Sequence, residues 1–443
     1  MEIFSLTFVY LVLPVMLLLC LILPTRLRPL FLLAASAVFY LSLEGENLLL
    51  LVSVILFDFG MVHLMNRCDE FPRLRKAIMA CTVIKGIALI AYFSVMSRAN
   101  GMNLPLGISV FTLTSMGYVL DCYYGLVPSE RSVVNYGLMV AFFPKLYAGP
   151  LVRYSRMMPQ IRSLHMTLKK LGQGGSLFIR GLAKKVILGD MMFSLYQTLK
   201  AIPLYDTTVL TVWSMVLSMA FAAYFILSGF CDMAKGIGLM FGMDLPDNFR
   251  SPYCSLSVHE FFTRFNITVN RFLRRHVYVN LGGSKGILLS GIFNILLVTI
   301  LMGLWFGITV NLLFWGIYFT VFIVFERYFL LKYSEFISPL FRWIYCITVV
   351  LVSFAIFIGQ SPSQSLEYLK IMFGFKHNMA GFDKRILYQL SSNYLVLIVS
   401  AICTCGLPGK LYQTLKSHAP IVAASVSIVW DLFLLMLATA FLL

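Results

Sequence analysis

Acidic and histidine side chains near apolar segments are the first candidates for chemistry in this sequence. Asp58, Asp121 and Asp232 each lie within a run of hydrophobic residues. A carboxylate is costly in hydrocarbon, so an acid retained there is a functional candidate by default. Histidines exchange protons near neutral pH, but all six are expected near the ends of apolar segments or in loops. They are His63, His165, His259, His276, His377 and His418.

Basic residues interleaved with aromatic ones form a second set of candidates. Residues 149–190 carry eight basic residues against a single acid, and residues 247–285 place arginines beside phenylalanines at helical spacing. An arginine beside an aromatic ring can hold a phosphate or a thioester carrier bidentately while its stem packs on the ring. The alternative is an interfacial amphipathic segment whose arginines reach the lipid headgroups. The candidate binding residues are Arg153, Arg264, Arg271 and Arg274.

Metal ions and nucleic acids are not expected as ligands. The nine cysteines are scattered and mostly apolar in context, which is typical of small buried hydrophobic residues. Cys403 and Cys405 are separated by one residue, which is not a metal-ligand spacing, and no histidine lies nearby. The net charge of +16 is distributed over short loops beside apolar spans, a pattern that membrane topology and anionic headgroups explain.

The elements that must position these residues are membrane helices. Hydrophobic residues make up 60% of the 443 and charged ones 12%, with a mean hydropathy of +0.86. Apolar stretches near the ~20 residues that a spanning helix needs recur throughout the chain. They predict an all-α polytopic protein with about ten to twelve spans, the shorter ones tilted or re-entrant. The stretches are 5–23, 30–43, 48–65, 78–96, 134–147, 209–227, 287–308, 312–329, 344–358, 394–405 and 421–442.

The charge map predicts the orientation of the spans. The first span has no basic region before it and no small-residue cleavage site after it, so it is expected to remain in the membrane. Arg26 and Arg28 follow this span, residues 44–47 are acidic, and residues 67–76 are basic again. By the positive-inside rule the N-terminus is expected outside, with residues 153–185 and 250–285 on the cytoplasmic side.

Several sequence blocks resemble those of bacterial membrane-bound O-acyltransferases. Each block alone is a weak signal, but they follow the family's order from about Leu30 to Phe375. By this resemblance Gly149 and Pro150, in the block at residues 142–154, and Trp305 are added to the candidate binding residues. The blocks are LPLGISVFT (104–112), FFPKLYAGPLVRY (142–154) with Pro159 and Gln160, GLAKKV (181–186), SGFCDMA (228–234), LPDNFRSPY (245–253), EFFTRFN (260–266) and residues 272–283.

The resemblance implies both an architecture and a reaction. The branch that looks most similar modifies the cell envelope and includes alginate O-acetyltransferases and the D-alanine exporter of teichoic acids. It implies one domain over residues 1–443, with helices in a ring around a thinned centre. An acyl carrier protein or acyl-CoA would donate from the cytoplasm, an envelope polymer would accept, and a membrane-anchored acyltransferase would be a partner. No bound cofactor is expected.

Two positions bear on whether this chain can catalyse the family's reaction. The family carries a histidine as general base in a Trp-His-Gly step, whereas this chain reads Trp305-Phe306-Gly307, and a phenyl ring cannot accept a proton. The upstream family position that polarises the acyl carbonyl falls at Asn266, which resembles the asparagine of many eukaryotic members but not the histidine of close bacterial ones. His276 is the histidine best placed by sequence to substitute as base. Gly359 stands where the family's late Phe-Phe-Arg motif has its arginine.

Three functions therefore remain open. The first is an acyltransferase that passes a short acyl group from a cytoplasmic thioester to an envelope polysaccharide, a lipid-linked polymer or a partner protein. The second is a non-catalytic relative that binds, scaffolds or regulates. The third is a transporter or flippase, which the ordered blocks disfavour.

Overall fold

The fold is known from a computed structural model that describes residues 2–101, 103–283, 288–330, 336–375 and 384–443. Within these ranges the chain is helical or in turns and loops, and it contains no β-strand. Seven helices are long and apolar enough to cross a membrane, and two shorter apolar helices accompany them. The prediction of an all-α polytopic membrane protein is confirmed. Lys285 and His377 lie outside the described residues.

Nineteen α-helices are defined in the described ranges, with short π-helical and 3-10 segments at some of their ends. In chain order they are α1 Leu13–Ile22, α2 Arg28–Glu44, α3 Asn47–Arg67, α4 Pro72–Ala99, α5 Ile108–Tyr123, α6 Val133–Ala141, α7 Tyr154–Arg162, α8 Leu168–Ala183, α9 Asp190–Lys200, α10 Val209–Met240, α11 Val258–Arg264, α12 Ile267–Leu273, α13 Leu288–Leu304, α14 Val310–Phe325, α15 Pro339–Ile358, α16 Pro362–Met372, α17 Lys384–Thr404, α18 Leu407–His418 and α19 Pro420–Leu442.

Some of the predicted spans are shorter or less regular than a simple membrane helix. The stretch 134–147 forms α6, of nine residues, followed by a 3-10 turn over Phe143–Leu146. The first stretch begins as a π-helical segment, Phe8–Val12, and continues as α1. The stretch 30–43 lies in α2, which has 17 residues. The shorter stretches, 30–43 and 134–147, are among those for which the sequence predicted tilted or re-entrant helices.

The long apolar helices leave much of their hydrophobic surface uncovered by protein. In α17 and α19 only 11% and 17% of the apolar window is buried within the chain. Leucine, isoleucine and valine side chains stand exposed along both helices. Hydrocarbon is the solvent that such surfaces require, because uncovered apolar area of this extent is unfavourable in water.

The chain divides into two compact units. The first comprises Met1–Leu182, Phe230–Asp247 and Leu442–Leu443, and the second comprises Ala183–Gly229 and Asn248–Phe441. Helix α10 contributes residues to both. The expectation of a single domain over the whole chain stays a prediction.

A buried ion pair holds the first unit together. Asp58 of α3, 1% exposed, receives Lys85 Nζ of α4 at 2.6 Å, and the Ser115 hydroxyl of α5 donates to its other oxygen. Ser115 also shares a 2.6 Å hydrogen bond with the Tyr136 hydroxyl of α6. Three helices therefore meet at one carboxylate, whose charge is balanced, and the Ser115 hydroxyl links α6 as a fourth. This pairing gives Asp58, a candidate for function by sequence, a structural role.

A second acid anchors the start of α6 in the first unit. One oxygen of Glu130 accepts the backbone N–H groups of Arg131 and Ser132 at 3.0 and 3.1 Å. The other accepts from Arg162 at 2.6 Å and from the Tyr154 hydroxyl at 3.0 Å. Burial alone would raise the pKa of Glu130, but these hydrogen bonds from Ser132, Arg162 and Tyr154 bring that pKa below its ordinary value.

Glycines allow two helices of the second unit to cross closely. A Cβ on Gly303 of α13 would lie 2.5 Å from the Leu312 carbonyl oxygen, and one on Gly316 of α14 would lie 2.7 Å from the α-carbon of Ile300. Both positions therefore require glycine, as is common where membrane helices touch through their backbones. This crossing fixes the end of α13, from which Trp305, Phe306 and Gly307 follow.

Candidate functional site

Asn266 lies in the second unit, in the short connection between α11 and α12. Its backbone is in the left-handed region, with φ 50° and ψ 52°, a conformation that asparagine tolerates better than most residues. The side chain is 3% exposed, and its amide oxygen accepts a 3.1 Å hydrogen bond from Asn248 Nδ2. Asn248 Oδ1 in turn accepts from the Thr268 backbone N–H at 2.9 Å and hydroxyl at 2.8 Å. Asn266 is thus a fixed member of a buried amide network.

Phe306 follows α13 and packs against other aromatic rings. Its ring centroid lies 6.3 Å from Trp315 of α14 and 5.8 Å from Phe357 of α15, both in edge-on arrangements. The next residue, Gly307, has φ +147°, a backbone conformation that L side chains rarely adopt. The Trp-Phe-Gly step is therefore a tight exit from α13 that points an apolar ring into an aromatic environment.

One aromatic cluster adjoins both of these positions. Trp315 lies 4.6 Å from Phe319 and 5.9 Å from Phe262 of α11, measured between ring centroids. Phe261 stacks on Phe265, the residue before Asn266, at 5.2 Å. We call Phe261, Phe262, Phe265, Phe306, Trp315, Phe319 and Phe357 the aromatic cluster. These rings bury large area and prefer the edge-on and offset contacts seen here, so they set the spacing of α11, α14 and α15.

A cavity of about 360 Å³ opens beside this cluster in the second unit. Phe262 belongs to both the cluster and the cavity wall. The remaining wall combines apolar side chains of α13 and α14 with polar ones of α11, α12 and the π-helical turns Arg274–Tyr278 and Glu326–Leu330. Its polar lining residues are Ser257, His259, Thr263, Asn270, Arg274, Tyr278, Thr299, Glu326 and Arg327.

His259 is the histidine that this cavity contains. It is the second residue of α11, it is exposed, and it belongs to the cavity lining. His276, the histidine ranked first from the sequence, lies 4.8 Å from the Phe272 ring and does not line the cavity. The structure therefore brings a different histidine, His259, to this cavity, and a role for His276 as base stays a prediction. Glu260, three residues after Ser257, marks the start of α11 in the sequence but gives no sign of the cavity.

Two arginines lie near the imidazole of His259. The surrounding protein, and then the Arg274 and Arg327 guanidinium groups, lower the pKa of His259. Arg327 Nη1 donates to the Tyr278 hydroxyl at 3.0 Å. Among the described residues Arg274 forms no salt bridge. The cavity thus joins an imidazole, the Arg274 and Arg327 cations, the Glu326 carboxylate and an apolar wall. The cations outnumber the acid, which suits an anionic ligand with an apolar part.

The other predicted binding residues are not gathered in this cavity. Arg264 pairs with Glu260 one helical turn earlier at 2.5 Å, and Arg271 is exposed on α12. Arg153, Gly149 and Pro150 belong to the first unit. Gly149 has φ 91° and donates its N–H to the Lys145 carbonyl at 2.8 Å, which turns the chain at that point. Within the described part of the chain, no group of three or more metal-binding side chains occurs.

Comparison with known sequences identifies the family. The profile described as "MBOAT, membrane-bound O-acyltransferase family" matches residues 127–366, more than half of the chain. The chain belongs to the membrane-bound O-acyltransferase family. The resemblance of the ordered sequence blocks is thereby confirmed, and the matched range includes Asn266 and Phe306.

Named relatives within the family are similar over most of this chain. It is 29% identical over 437 residues to "Probable alginate O-acetylase AlgI" of Pseudomonas aeruginosa, covering 94% of this chain and 84% of that protein. It is 29% identical over 392 residues to "Peptidoglycan O-acetyltransferase" of Helicobacter pylori, covering 78% and 73%. A shorter match, 21% over 226 residues, covers 49% of this chain and 57% of "Teichoic acid D-alanyltransferase" of Bacillus subtilis. The predicted envelope-modifying branch is confirmed.

Membership gives Phe306 and Asn266 a specific meaning. By family resemblance they occupy the positions of the general base and of the residue that positions the acyl carbonyl. The structure surrounds Phe306 with aromatic rings and engages the Asn266 oxygen with Asn248. Neither side chain can accept a proton at neutral pH. Their roles, and those of Trp305 and the arginines, stay predictions.

Gly359 shows how the structure accommodates another departure from the family pattern. A Cβ at this position would lie 2.1 Å from the Ser365 hydroxyl oxygen. The Gly359 carbonyl accepts a hydrogen bond from the Asn311 side chain, which also donates to Ser365 at 3.2 Å. The space that an arginine would need is therefore filled by the start of α16.

Proposed function

We propose that this membrane protein takes part in O-acylation of a cell-envelope polymer, either a polysaccharide or a lipid-linked polymer. The observation that carries the proposal is the similarity over 94% and 78% of the chain to proteins named as an alginate O-acetylase and a peptidoglycan O-acetyltransferase. Both names describe transfer of an acetyl group to a polymer. The acyl donor is a cytoplasmic thioester, on an acyl carrier protein or on coenzyme A, and a membrane-anchored acyltransferase is a partner in the transfer.

The proposal includes an orientation in the membrane. The N-terminus is external, and residues 153–185 and 250–285 face the cytoplasm, where the thioester donor is made. Basic residues near span ends are retained on the cytoplasmic side, which supports this assignment. Single cysteines at positions 169 and 275 of a cysteine-free chain should resist a membrane-impermeant maleimide in intact cells and react after permeabilisation. Labelling of both in intact cells would reject the orientation.

A second candidate function is favoured by the packing of Phe306. The ring contacts Trp315 and Phe357 in the place that the family resemblance gives to the general base. A chain that lacks that base, with no substitute elsewhere, would bind the donor or a partner without transferring the acyl group. Loss of a general base typically lowers a rate by about 10²- to 10⁴-fold.

Complementation separates the two candidates. A strain deleted for the gene would receive the unaltered chain, and ester-linked acyl groups on its envelope polymer would be released by mild alkali and quantified. Restored acylation supports the transferase. If acylation is not restored while the protein accumulates in the membrane, the transferase proposal fails and the binding function remains.

A further inference from the structure

We propose that the cavity beside the aromatic cluster is the reactive site of this chain, and that His259 is its general base for acyl transfer from an anionic thioester to a hydroxyl group. This inference rests on the proposed acyltransferase function. It starts from Phe306, because a phenyl ring at the family's base position leaves the reaction without a proton acceptor there. Phe262 lines the cavity and contacts Trp315, which in turn contacts Phe306. The cavity therefore lies beside the family's base position.

The backbone that carries His259 is held from two directions. The Ser257 hydroxyl caps α11 by accepting the Glu260 N–H at 3.0 Å. The carboxylate of Glu326 accepts the backbone N–H groups of Val258 at 2.6 Å and of His259 at 3.0 Å. A helix start that is satisfied by two such acceptors is well fixed, and a negative charge there is favourable. The backbone of His259, a residue of the cavity lining, is therefore held at a fixed point, which positioned catalysis requires.

The charges around His259 favour the form that a general base needs. Arg274, Arg327, Glu326 and Tyr278 are the charged and titratable groups that line the cavity with it. Enclosure by protein, followed by the two guanidinium groups, lowers the pKa of His259, which keeps the imidazole neutral at physiological pH. A neutral imidazole has one nitrogen free of a proton, and that nitrogen is the acceptor in the proposed step.

The remaining lining fits an anionic acyl donor. Arg274, which has no salt-bridge partner among the described residues, and Arg327 would bind a phosphate or carboxylate of the carrier. The apolar wall of Ile295, Val298, Met302 and Ile323 would take the acyl group. A volume of about 360 Å³ lies within the range of small-molecule sites, about 300–1,000 Å³.

The step balances without any further reactant. The acceptor hydroxyl gives its proton to the imidazole nitrogen of His259 while its oxygen attacks the thioester carbonyl carbon. The new carbon–oxygen bond forms and the carbon–sulfur bond breaks. The departing thiolate takes the proton from the imidazolium, which leaves an ester, a free thiol and neutral His259.

The first test compares two histidine substitutions in the full-length chain. His259→Gln and the matched control His418→Gln, an exposed position on α18 outside the cavity lining, would be purified in detergent, and release of thiol from acetyl-CoA in the presence of a polysaccharide acceptor would be measured. We expect His259→Gln to lower kcat by about 10²- to 10⁴-fold and the control to stay within about twofold of the unaltered chain. Equal elution in size-exclusion chromatography and equal melting temperatures would show that both variants are folded.

The second test uses pH and the donor concentration. For the unaltered chain, kcat/KM should rise with pH and reach a plateau, with the acid limb below the ordinary histidine pKa of about 6.5. That limb should be absent from the residual activity of His259→Gln. Arg274→Ala should raise KM for acetyl-CoA about tenfold or more, whereas Lys410→Ala, a change on α18 away from the cavity lining, should leave it unchanged.

The two ways in which the inference can fail are distinguishable. If the unaltered chain transfers acyl groups and His259→Gln does so equally well, the assignment of His259 is wrong while the acyltransferase function stands. If the unaltered chain restores no envelope acylation and releases no thiol, both the function and the assignment are wrong.

Discussion

A histidine introduced at the family's base position tests whether His259 has taken over as the general base. Phe306→His places an imidazole between Trp315 and Phe357, whose ring centroids lie 6.3 and 5.8 Å from that of Phe306. If His259 is the base, the variant should transfer acyl groups no faster than the unaltered chain. A chain whose only defect is the missing base at position 306 should instead gain about 10²- to 10⁴-fold.

The same substitution should lower stability by an amount that follows from the packing. Each aromatic pair contributes about 0.5–1.5 kcal/mol beyond its buried area, and a smaller, polar ring weakens both pairs without replacing them. Placing an imidazole in an apolar niche without a hydrogen-bond partner adds a cost of about 1–3 kcal/mol, reduced here because Phe306 is only half-buried. We expect a net loss of about 1–2 kcal/mol.

The assay measures both quantities on one preparation. Thermal unfolding in detergent gives the stability change, and thiol release from acetyl-CoA gives the rate. Phe306→Leu is the matched control, because it removes the aromatic pairs without adding a polar group, and it should lose about 1 kcal/mol with unchanged transfer. A gain in transfer of about 100-fold or more on Phe306→His alone would refute the assignment of His259 and return the reactive site to the Trp-x-Gly step.

Three further predictions concern stability in each unit. Lys85→Ala leaves the buried Asp58 carboxylate without its counter-charge and should lower the free energy of unfolding by about 3–5 kcal/mol in thermal unfolding. The double variant with Asp58→Asn should recover most of that stability, and no recovery would contradict the pairing. Because the pKa of Glu130 is lowered on folding, its contribution to the free energy of unfolding is present at neutral pH and is lost as pH falls below about 4.3. Glu130→Gln should therefore be less stable at pH 7, and its stability should depend less on pH in the acid range. Gly303→Ala brings a Cβ to 2.5 Å from a backbone carbonyl and should lower the melting temperature by several degrees, while Gly172→Ala, with open space around it, should not; equal effects would argue against the close helix crossing.

The sequence was sufficient for the fold class because membrane helices are encoded by local composition. The long spans 48–65, 78–96 and 209–227 all fall within helices of at least 21 residues. The shorter stretch 134–147 ends instead in a 3-10 turn, because Pro144 lacks a backbone N–H and interrupts the α-helix. The length of an apolar stretch and the presence of proline thus distinguish regular membrane helices from irregular segments.

The site was less predictable because it depends on contacts between distant residues. Asp58 was a candidate for function until the structure paired it with Lys85, 27 residues away. His259 lies beside an apolar segment in sequence, and only the approach of Glu326, 67 residues later, fixes the start of its helix. Sequence motifs located Asn266 and Phe306, but no local pattern could show that a cavity opens at His259 instead of His276.

The packing around Gly359 limits which residues this position can accept. Where family members are expected to carry arginine, any side chain would collide with Ser365, and the Gly359 carbonyl is bound by Asn311. Gly359→Arg alone would therefore displace the start of α16 and lower stability. Ser365 would have to change first, at the cost of its hydrogen bonds to Asn311 and to the Ile356 carbonyl. Positions 359 and 365 are thus coupled, because arginine at the first requires a change at the second that removes the hydrogen bonds joining the start of α16 to α14 and α15.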